Sequence, residues 1–368
     1  MSDKQAAAGM AMPGWLDKLG GFVERTRGFW RRLGEIETSA HRDALERIAI
    51  DRPVYIAGVA RSGSTILLEM LARHPEVATH QYRDFPLLFA PVYWDRAFGR
   101  KQANRTEPEE RAHKDRIKVT PASPEAMEEV LWMAFFENIH DPTRNQVLDA
   151  STSAPAFESF YRDHLKKMLM IRGGRRYLAK GNYNTTRLGY LLKLFPDARF
   201  IVPVREPRWH VASLLKQHRL FSAAERADPR ILRHMRRVGH FEFGLDRRVV
   251  NAGDDEEAAR IDALWSSGRD LEGYARLWSS LYGFVLDSIA ADPAIARATL
   301  VVRYEDVCQD PQTKLAEIAA HAELAFPEEV VAAMAGEVSS PAYYDPGFTA
   351  AEEATIRELA GATARRLG

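Results

Sequence analysis

Gly58-Val59-Ala60-Arg61-Ser62-Gly63-Ser64-Thr65 is the stretch of this 368-residue chain whose residue types and spacing best suit chemistry. An apolar Val54-Tyr55-Ile56-Ala57 precedes it, and Ile66-Leu67-Leu68-Glu69-Met70-Leu71 continues it with helical character. A strand, a glycine-bracketed loop and a helix form the layout of a phosphate-binding loop. The glycines let the backbone curl, so that successive N–H groups and the helix N-terminus point at one anion. The spacing matches G-x-x-x-x-G-K-[ST] with one departure: Ser64 stands where the nucleotidase lysine belongs, and a cation, Arg61, lies inside the loop instead. Without that lysine, a nucleotide-cleaving enzyme loses its handle on the β- and γ-phosphates. The loop therefore reads as one that holds a terminal phosphate without transferring it. The plainer alternative is a strand-turn-helix whose glycines serve only the turn.

A second cluster, far along the chain, has the same logic. Ala198-Arg199-Phe200-Ile201-Val202-Pro203-Val204 reads as a buried strand, with Pro203 marking its end. It runs into Arg205-Glu206-Pro207-Arg208 and then Trp209-His210-Val211-Ala212-Ser213-Leu214-Leu215. Pro207 suits the first turn of a helix, where a missing N–H costs nothing. Arg205 then leaves the carboxyl end of a strand, and Ser213 sits about two turns into the helix. An Arg fork and a hydroxyl can grip a phosphate between them. A Walker-type nucleotidase would place a Mg²⁺-binding Asp at this strand end. Arginine is a poor metal ligand and a good second anion clamp.

Residues 58–71 and 195–215 together resemble the two nucleotide signatures of sulfotransferases that use 3′-phosphoadenosine 5′-phosphosulfate (PAPS), and most closely their bacterial and Golgi-type branch. Leu178-Ala179-Lys180, Phe195-Pro196-Asp197-Ala198-Arg199-Phe200 and Val302-Arg303-Tyr304-Glu305-Asp306-Val307 also match, in order, between about residues 53 and 322. The resemblance implies a P-loop-like sulfotransferase fold, PAPS as donor and PAP (3′,5′-diphosphoadenosine) as product. It implies that Ala60, Arg61, Ser62, Gly63, Ser64 and Thr65 take the 5′-phosphosulfate, and Arg205 with Ser213 the 3′-phosphate. Sulfuryl transfer resembles phosphoryl transfer, so catalysis is mostly positioning and charge stabilisation. No metal is expected.

Two further groups are needed, a cation at the leaving oxygen and a base for the acceptor proton. The resemblance puts an active-site lysine at Lys180, with Arg61 as a second cation. Lys180 follows Arg176-Tyr177-Leu178-Ala179 at a strand's carboxyl end, where doubly wound sheets bind ligands. For the base, related enzymes place a Glu before an apolar run, and Asp84 in Thr79-His80-Gln81-Tyr82-Arg83-Asp84-Phe85-Pro86 matches that position best. His80 is the alternative base. A third reading makes Asp84 a helix cap. Asn182 and Asn184 either cap the following helix or touch the acceptor. The rival enzyme class is a P-loop kinase or nucleotidase; the rival from outside enzymology is an inactive nucleotide-binding protein on the same fold.

The elements that must position these groups are an α/β alternation. Strands are expected at 53–57, 77–80, 176–179, 199–204 and 298–303. Helices are expected after residue 64 and at about 124–140, 156–172, 185–195, 207–218 and 268–291. The pattern predicts a doubly wound parallel sheet with flanking helices. A domain of residues 51–368 is expected, with 100–118 and 216–260 as surface or lid insertions and 251–260 the most flexible stretch. Residues 216–248 carry nine Lys/Arg against four Asp/Glu, read as a solvated face. Residues 1–50 form a helical extension in which Trp15, Leu19, Phe22, Val23, Phe29, Trp30 and Leu33 recur at helical spacing among Lys18, Arg25, Arg27, Arg31 and Arg32. Packing on the core or on a second subunit, as in a homodimer, is the leading reading for it; peripheral contact with an anionic membrane is the other.

Composition narrows the partners. Lys+Arg and Asp+Glu both total 51, so no net charge favours nucleic acid. The single cysteine, Cys308, leaves no intramolecular disulfide, and no apolar run approaches the ~20 residues of a membrane span, so a cytoplasmic protein is expected. The acceptor, whether small molecule, lipid or carbohydrate, is not encoded in any motif.

Overall fold

The computed structural model describes residues 10, 12–99, 107–110, 118–338 and 346–368. In chain order the elements that matter are α1 (Gly14–Arg25), α2 (Arg27–Ala40), β1 (Val54–Ala57), α3 (Ser64–Leu71), β2 (Val77–Ala78), β3 (Glu109–Glu110), β4 (Lys118–Val119), α4 (Pro155–Arg172), β5 (Arg176–Gly181), β6 (Arg199–Val204), α5 (Pro207–Ala227), α6 (Pro229–Val238), α7 (Asp270–Ala291) and β7 (Thr299–Arg303). The main sheet has five parallel strands in the order β2-β5-β1-β6-β7. β1 is central because its apolar residues are buried on both faces. Alternate residues divide the core: Tyr55, Tyr177, Phe200 and Val202 enter the larger cluster, while Val54, Ile56, Leu178 and Ile201 enter the smaller one beneath α3.

The order places the chain's reversal at β1, flanked by β5 and β6. A ligand crevice in an open α/β sheet lies outside the carboxyl ends at such a switch point. Register brings the relevant ends level, with Ala57 opposite Gly181, Ile56 opposite Ile201, and Val204 opposite Arg303. Pro203 lies one residue inside the end of β6 and its carbonyl accepts from Tyr282 Oη at 3.0 Å.

Several elements depart from expectation. Residues 216–260 are largely helical: α5 runs on to Ala227, α6 follows, and Asp255–Ser266 is a further helix. Side-chain caps start the last two. Asp228 accepts from Arg230 N and Asp254 from Glu257 N, so the acids that made this stretch look irregular begin its helices. The helix expected over 124–140 is confined to Glu129–Phe135. The expected lid at 100–118 lies largely outside the described residues; within it, β3 pairs with β4. α2 is docked on the body by a buried ion pair, Lys167 Nζ to Glu37 Oε2 at 3.2 Å, with Lys167 also donating to Gly34 O at 2.7 Å. No described helix is long and apolar enough to cross a membrane.

Candidate active site

The loop's conformation is dictated by its glycines and by one strained arginine. Gly63 caps α3 with φ +97°, and a Cβ there would lie 2.5 Å from Tyr304 Cδ2. At Gly58 a Cβ would meet Ser62 Oγ at 2.7 Å and Pro203 Cγ at 2.8 Å. Arg61 adopts φ +76°, a region that costs a non-glycine residue free energy and is concentrated at ligand clamps. The turn thus has no room for ordinary side chains at its two ends. Ser62 and Ser64 are buried and Thr65 opens onto α3.

Three contacts tie this loop to the other predicted groups. Arg61 Nε donates to Ser213 Oγ at 3.2 Å across 152 residues of sequence. Lys180 Nζ donates to Thr65 Oγ1 at 3.3 Å. His210 Nε2 donates to Ala60 O at 2.7 Å. Burial pushes the His210 imidazole down to about 3, so near neutrality it is an uncharged donor holding the loop. Lys180 is the penultimate residue of β5, and Arg205 directly follows β6. Both side chains are nearly buried.

Arg205 is placed from several sides. Its carbonyl accepts from Trp278 Nε1 at 3.1 Å, and its guanidinium lies 5.9 Å from the Tyr304 ring centroid. Glu206 caps α5 by accepting from Trp209 N, and its own amide donates to Glu305 Oε1 at 3.0 Å. Tyr304 and Glu305 therefore brace the loop and the second motif. Arg205 Nε is buried without a hydrogen-bond partner. An unmatched buried cationic donor is costly unless something anionic meets it. The Arg61, Lys180, Arg205, Ser213 and loop-amide donors form a set suited to two phosphate-like groups.

Asp84 and His80 are placed differently. Asp84 is buried in a capping box: its Oδ2 accepts from Gln81 N at 2.8 Å while its Oδ1 pairs with Arg172. His80 Nδ1 lies 3.4 Å from Asp84 Oδ2, and His80 Nε2 lies 3.0 Å from His164 Nε2. Burial opposes ionisation of Asp84, but the hydrogen bond from His80 and the charge of Arg172 outweigh it and hold the carboxyl below its ordinary value. Nearby, buried Glu128 accepts from Tyr161 Oη at 2.6 Å and Tyr177 Oη at 2.7 Å. Each of these partners lies outside the loop.

A carboxylate–histidine pair, Glu242 with His240, adjoins Asn182, two residues beyond Lys180 in the chain. Asn182 Nδ2 donates to Glu242 Oε1 at 2.5 Å, and His240 Nδ1 lies 2.6 Å from Glu242 Oε2. Glu242 and His240 belong to the stretch read as a solvated surface insertion, where His240-Phe241-Glu242 carries no recognisable motif. The His-x-Glu spacing was the only available signal. Asn184, the other asparagine of this segment, is buried within the 3₁₀ turn Asn182–Thr186. Among the described residues, no group of three or more His, Cys, Asp and Glu side chains could hold a metal ion.

Comparison with known proteins shows the family and the fold. Residues 53–251, more than half of the chain, match the sulfotransferase family. The structure is similar to that of sulfotransferase STF9 from Mycobacterium avium, at 14% identity and a TM-score of 0.50, over 90% of this chain and 81% of that one. Sulfotransferase STF1 from Mycobacterium tuberculosis aligns at 18% identity with a TM-score of 0.48, covering 93% and 86% of the two chains. A search of curated proteins gave no significant match.

Proposed function

Since the chain belongs to the sulfotransferase family, and its loop, Lys180, Ser213 and Arg205 gather at one edge of the sheet, we propose that it transfers a sulfuryl group from PAPS to a hydroxyl or amine of an acceptor. The observation that carries this reading is the Arg61–Ser213 hydrogen bond, which joins the two anion-binding motifs into one site. PAPS supplies the sulfuryl group and leaves as PAP; the acceptor–sulfur bond forms as the bond from sulfur to the 5′-phosphate oxygen breaks. Loop amides of residues 60–65 and Arg61 bind the 5′ end, while Arg205 and Ser213 hold the 3′-phosphate. Lys180 sits where negative charge builds on the departing phosphate oxygen.

Asp84, His80 and His240 compete to take the acceptor proton. Asp84 is the one matched by family resemblance, but it is committed to Gln81 and Arg172. His240, with Nδ1 2.6 Å from Glu242, has the base-plus-carboxylate arrangement of activated-nucleophile sites, and Glu242 contacts Asn182, which follows Lys180 by two residues in the chain. The acceptor class, whether small molecule, lipid or carbohydrate, depends on that side of the site.

A thermal-shift series tests the donor. PAP should raise the melting temperature strongly without metal, by linkage to native-state binding, and ATP or GTP with Mg²⁺ should do much less. A larger shift from Mg·ATP than from PAP would overturn the proposal in favour of a kinase or nucleotidase.

A further inference from the structure

Trp15, Phe22, Phe29 and Ile36 recur every seven residues along α1 and α2, and all four are exposed, Trp15 by 67% and Phe29 by 59%. Residues seven apart on a helix fall within about 20° of one another, so they form a stripe. The break between the helices is one residue wide. Thr26 N donates to Phe22 O at 3.0 Å, and Thr26 O accepts from Phe29 N and Trp30 N at 2.9 and 3.2 Å, so the stripe passes from one helix to the next. The opposite face is the docked one, with Val23, Gly34 and Glu37 buried.

Charge on these helices is sorted to match. Lys18, Arg25 and Arg32 repeat with the same period, each three residues after an aromatic, and all three are exposed. Three of the acids are paired with cations of the body. Asp17 accepts from Arg233 and Arg237 of α6, Glu24 pairs with Arg237, and Glu37 is buried against Lys167. Glu24 and Glu35 are the exposed acids of α1 and α2, Glu24 in its pair with Arg237. The outer face is thus apolar-aromatic and cationic, on a support rigidly attached to the body.

We propose that this face docks the protein on an anionic lipid bilayer. Aromatic side chains suit the boundary between headgroups and acyl chains, and flanking cations pair with anionic headgroups. A second copy is the poorer occupant. Laid along the stripe in either direction, it would bring Lys18, Arg25 and Arg32 against their own counterparts, which like-charge juxtaposition disfavours. Docking rests on the N-terminal helices alone and is independent of the sulfuryl-transfer reading.

The test is co-sedimentation of the full chain with vesicles of phosphatidylcholine alone and with about one-third phosphatidylglycerol. Binding should be at least tenfold tighter to the anionic vesicles and should weaken as salt is raised. The triple variant Lys18→Glu/Arg25→Glu/Arg32→Glu should lose on the order of a hundredfold in vesicle affinity, given the contribution of each cation at an anionic surface. Trp15→Ser/Phe22→Ser/Phe29→Ser should also release the protein, and because all six sites are exposed, unchanged thermal unfolding should show both variants to be folded. Equal binding to both vesicle types, no binding, or undiminished binding by the charge-reversed variant would overturn the proposal. So would a concentration-dependent dimer abolished by the serine variant without any vesicle binding, which would give the face to a second copy.

Discussion

The edge of the sheet around residues 58–65 and the buried cluster around Asp84 are both rich in charged and polar groups, yet they are put together differently. In the cluster, acids are met by an arginine, an amide and hydroxyls, Asp84 by Arg172 and Gln81 N and Glu128 by two tyrosines, although His80 Nδ1, Glu128 Oε2 and Arg172 Nε have no hydrogen-bond partner. At the sheet edge cations outnumber anions. Arg61 and Lys180 donate to the hydroxyls of Ser213 and Thr65, and Arg205 Nε is buried without a hydrogen-bond partner. A network in which acids meet donors braces a core, whereas a pre-organised group of cations suits an anionic ligand. The sign of the charges brought together therefore separates a binding site from a brace where residue type alone does not.

The sharpest way to break that comparison is to remove a base. His240→Ala should lower turnover about 10²–10⁴-fold while leaving PAP affinity near wild type, the usual contribution of a positioned proton acceptor. Single-turnover measurements alongside PAP titration check it. The same loss in Asp84→Asn, with His240→Ala nearly normal, would move the buried cluster into the chemistry and erase the distinction.

Asp84→Asn is next in size. Asparagine can keep the cap, but the buried Arg172 loses its main counter-charge and retains Asp95 at 3.3 Å. Stability should fall by about 3 kcal/mol, as when one partner of a buried ion pair is deleted. Turnover per folded molecule should survive; denaturant unfolding and activity assays together decide.

Arg205→Ala acts on the other side of the comparison. It removes a charged hydrogen-bonding group worth roughly 1.5–3 kcal/mol, so PAP should bind tenfold or more weakly and the preference for a 3′-phosphate should disappear. Isothermal titration with unchanged PAP affinity would take Arg205 out of the site. The protein's own stability should change little, since Nε has no internal partner to lose.

The smallest effect concerns the tether between α5 and the loop. His210 titrates near 3 in the fold against about 6.5 unfolded, so the unfolded chain binds the proton first as pH falls. The contribution of neutral His210 is full above pH 6.5 and is lost progressively from there down to about 3. Relative to His210→Gln, whose amide can still donate to Ala60 O, wild type should lose about 1.4 kcal/mol by pH 5.5. Parallel pH-dependent unfolding of the two proteins isolates this group, and an unchanging gap would show that folding does not depress the His210 pKa.

Much of the architecture was legible because it is written locally. The loop is eight consecutive residues whose glycines specify a turn, and the strand runs ending at Lys180 and Arg205 carry their own apolar pattern. The parallel five-stranded sheet follows from that alternation. The capped helices after residue 228 were harder to see, because an acid at an N-cap looks the same in sequence as one in a solvated loop.

What only the tertiary structure decided is which distant groups meet. The pairing of Arg61 with Ser213, the placing of Glu242 beside Asn182, the sequestering of Asp84 by Arg172, and the pairing of Asp17 and Glu24 with α6 that leaves the aromatics of α1 outward all depend on contacts across tens to hundreds of residues. Local patterns encode backbone conformation and the face a residue occupies. Hydrogen-bond partners and the balance of charge are set by packing between elements, where desolvation makes an unmatched polar group costly and so dictates who must stand beside whom.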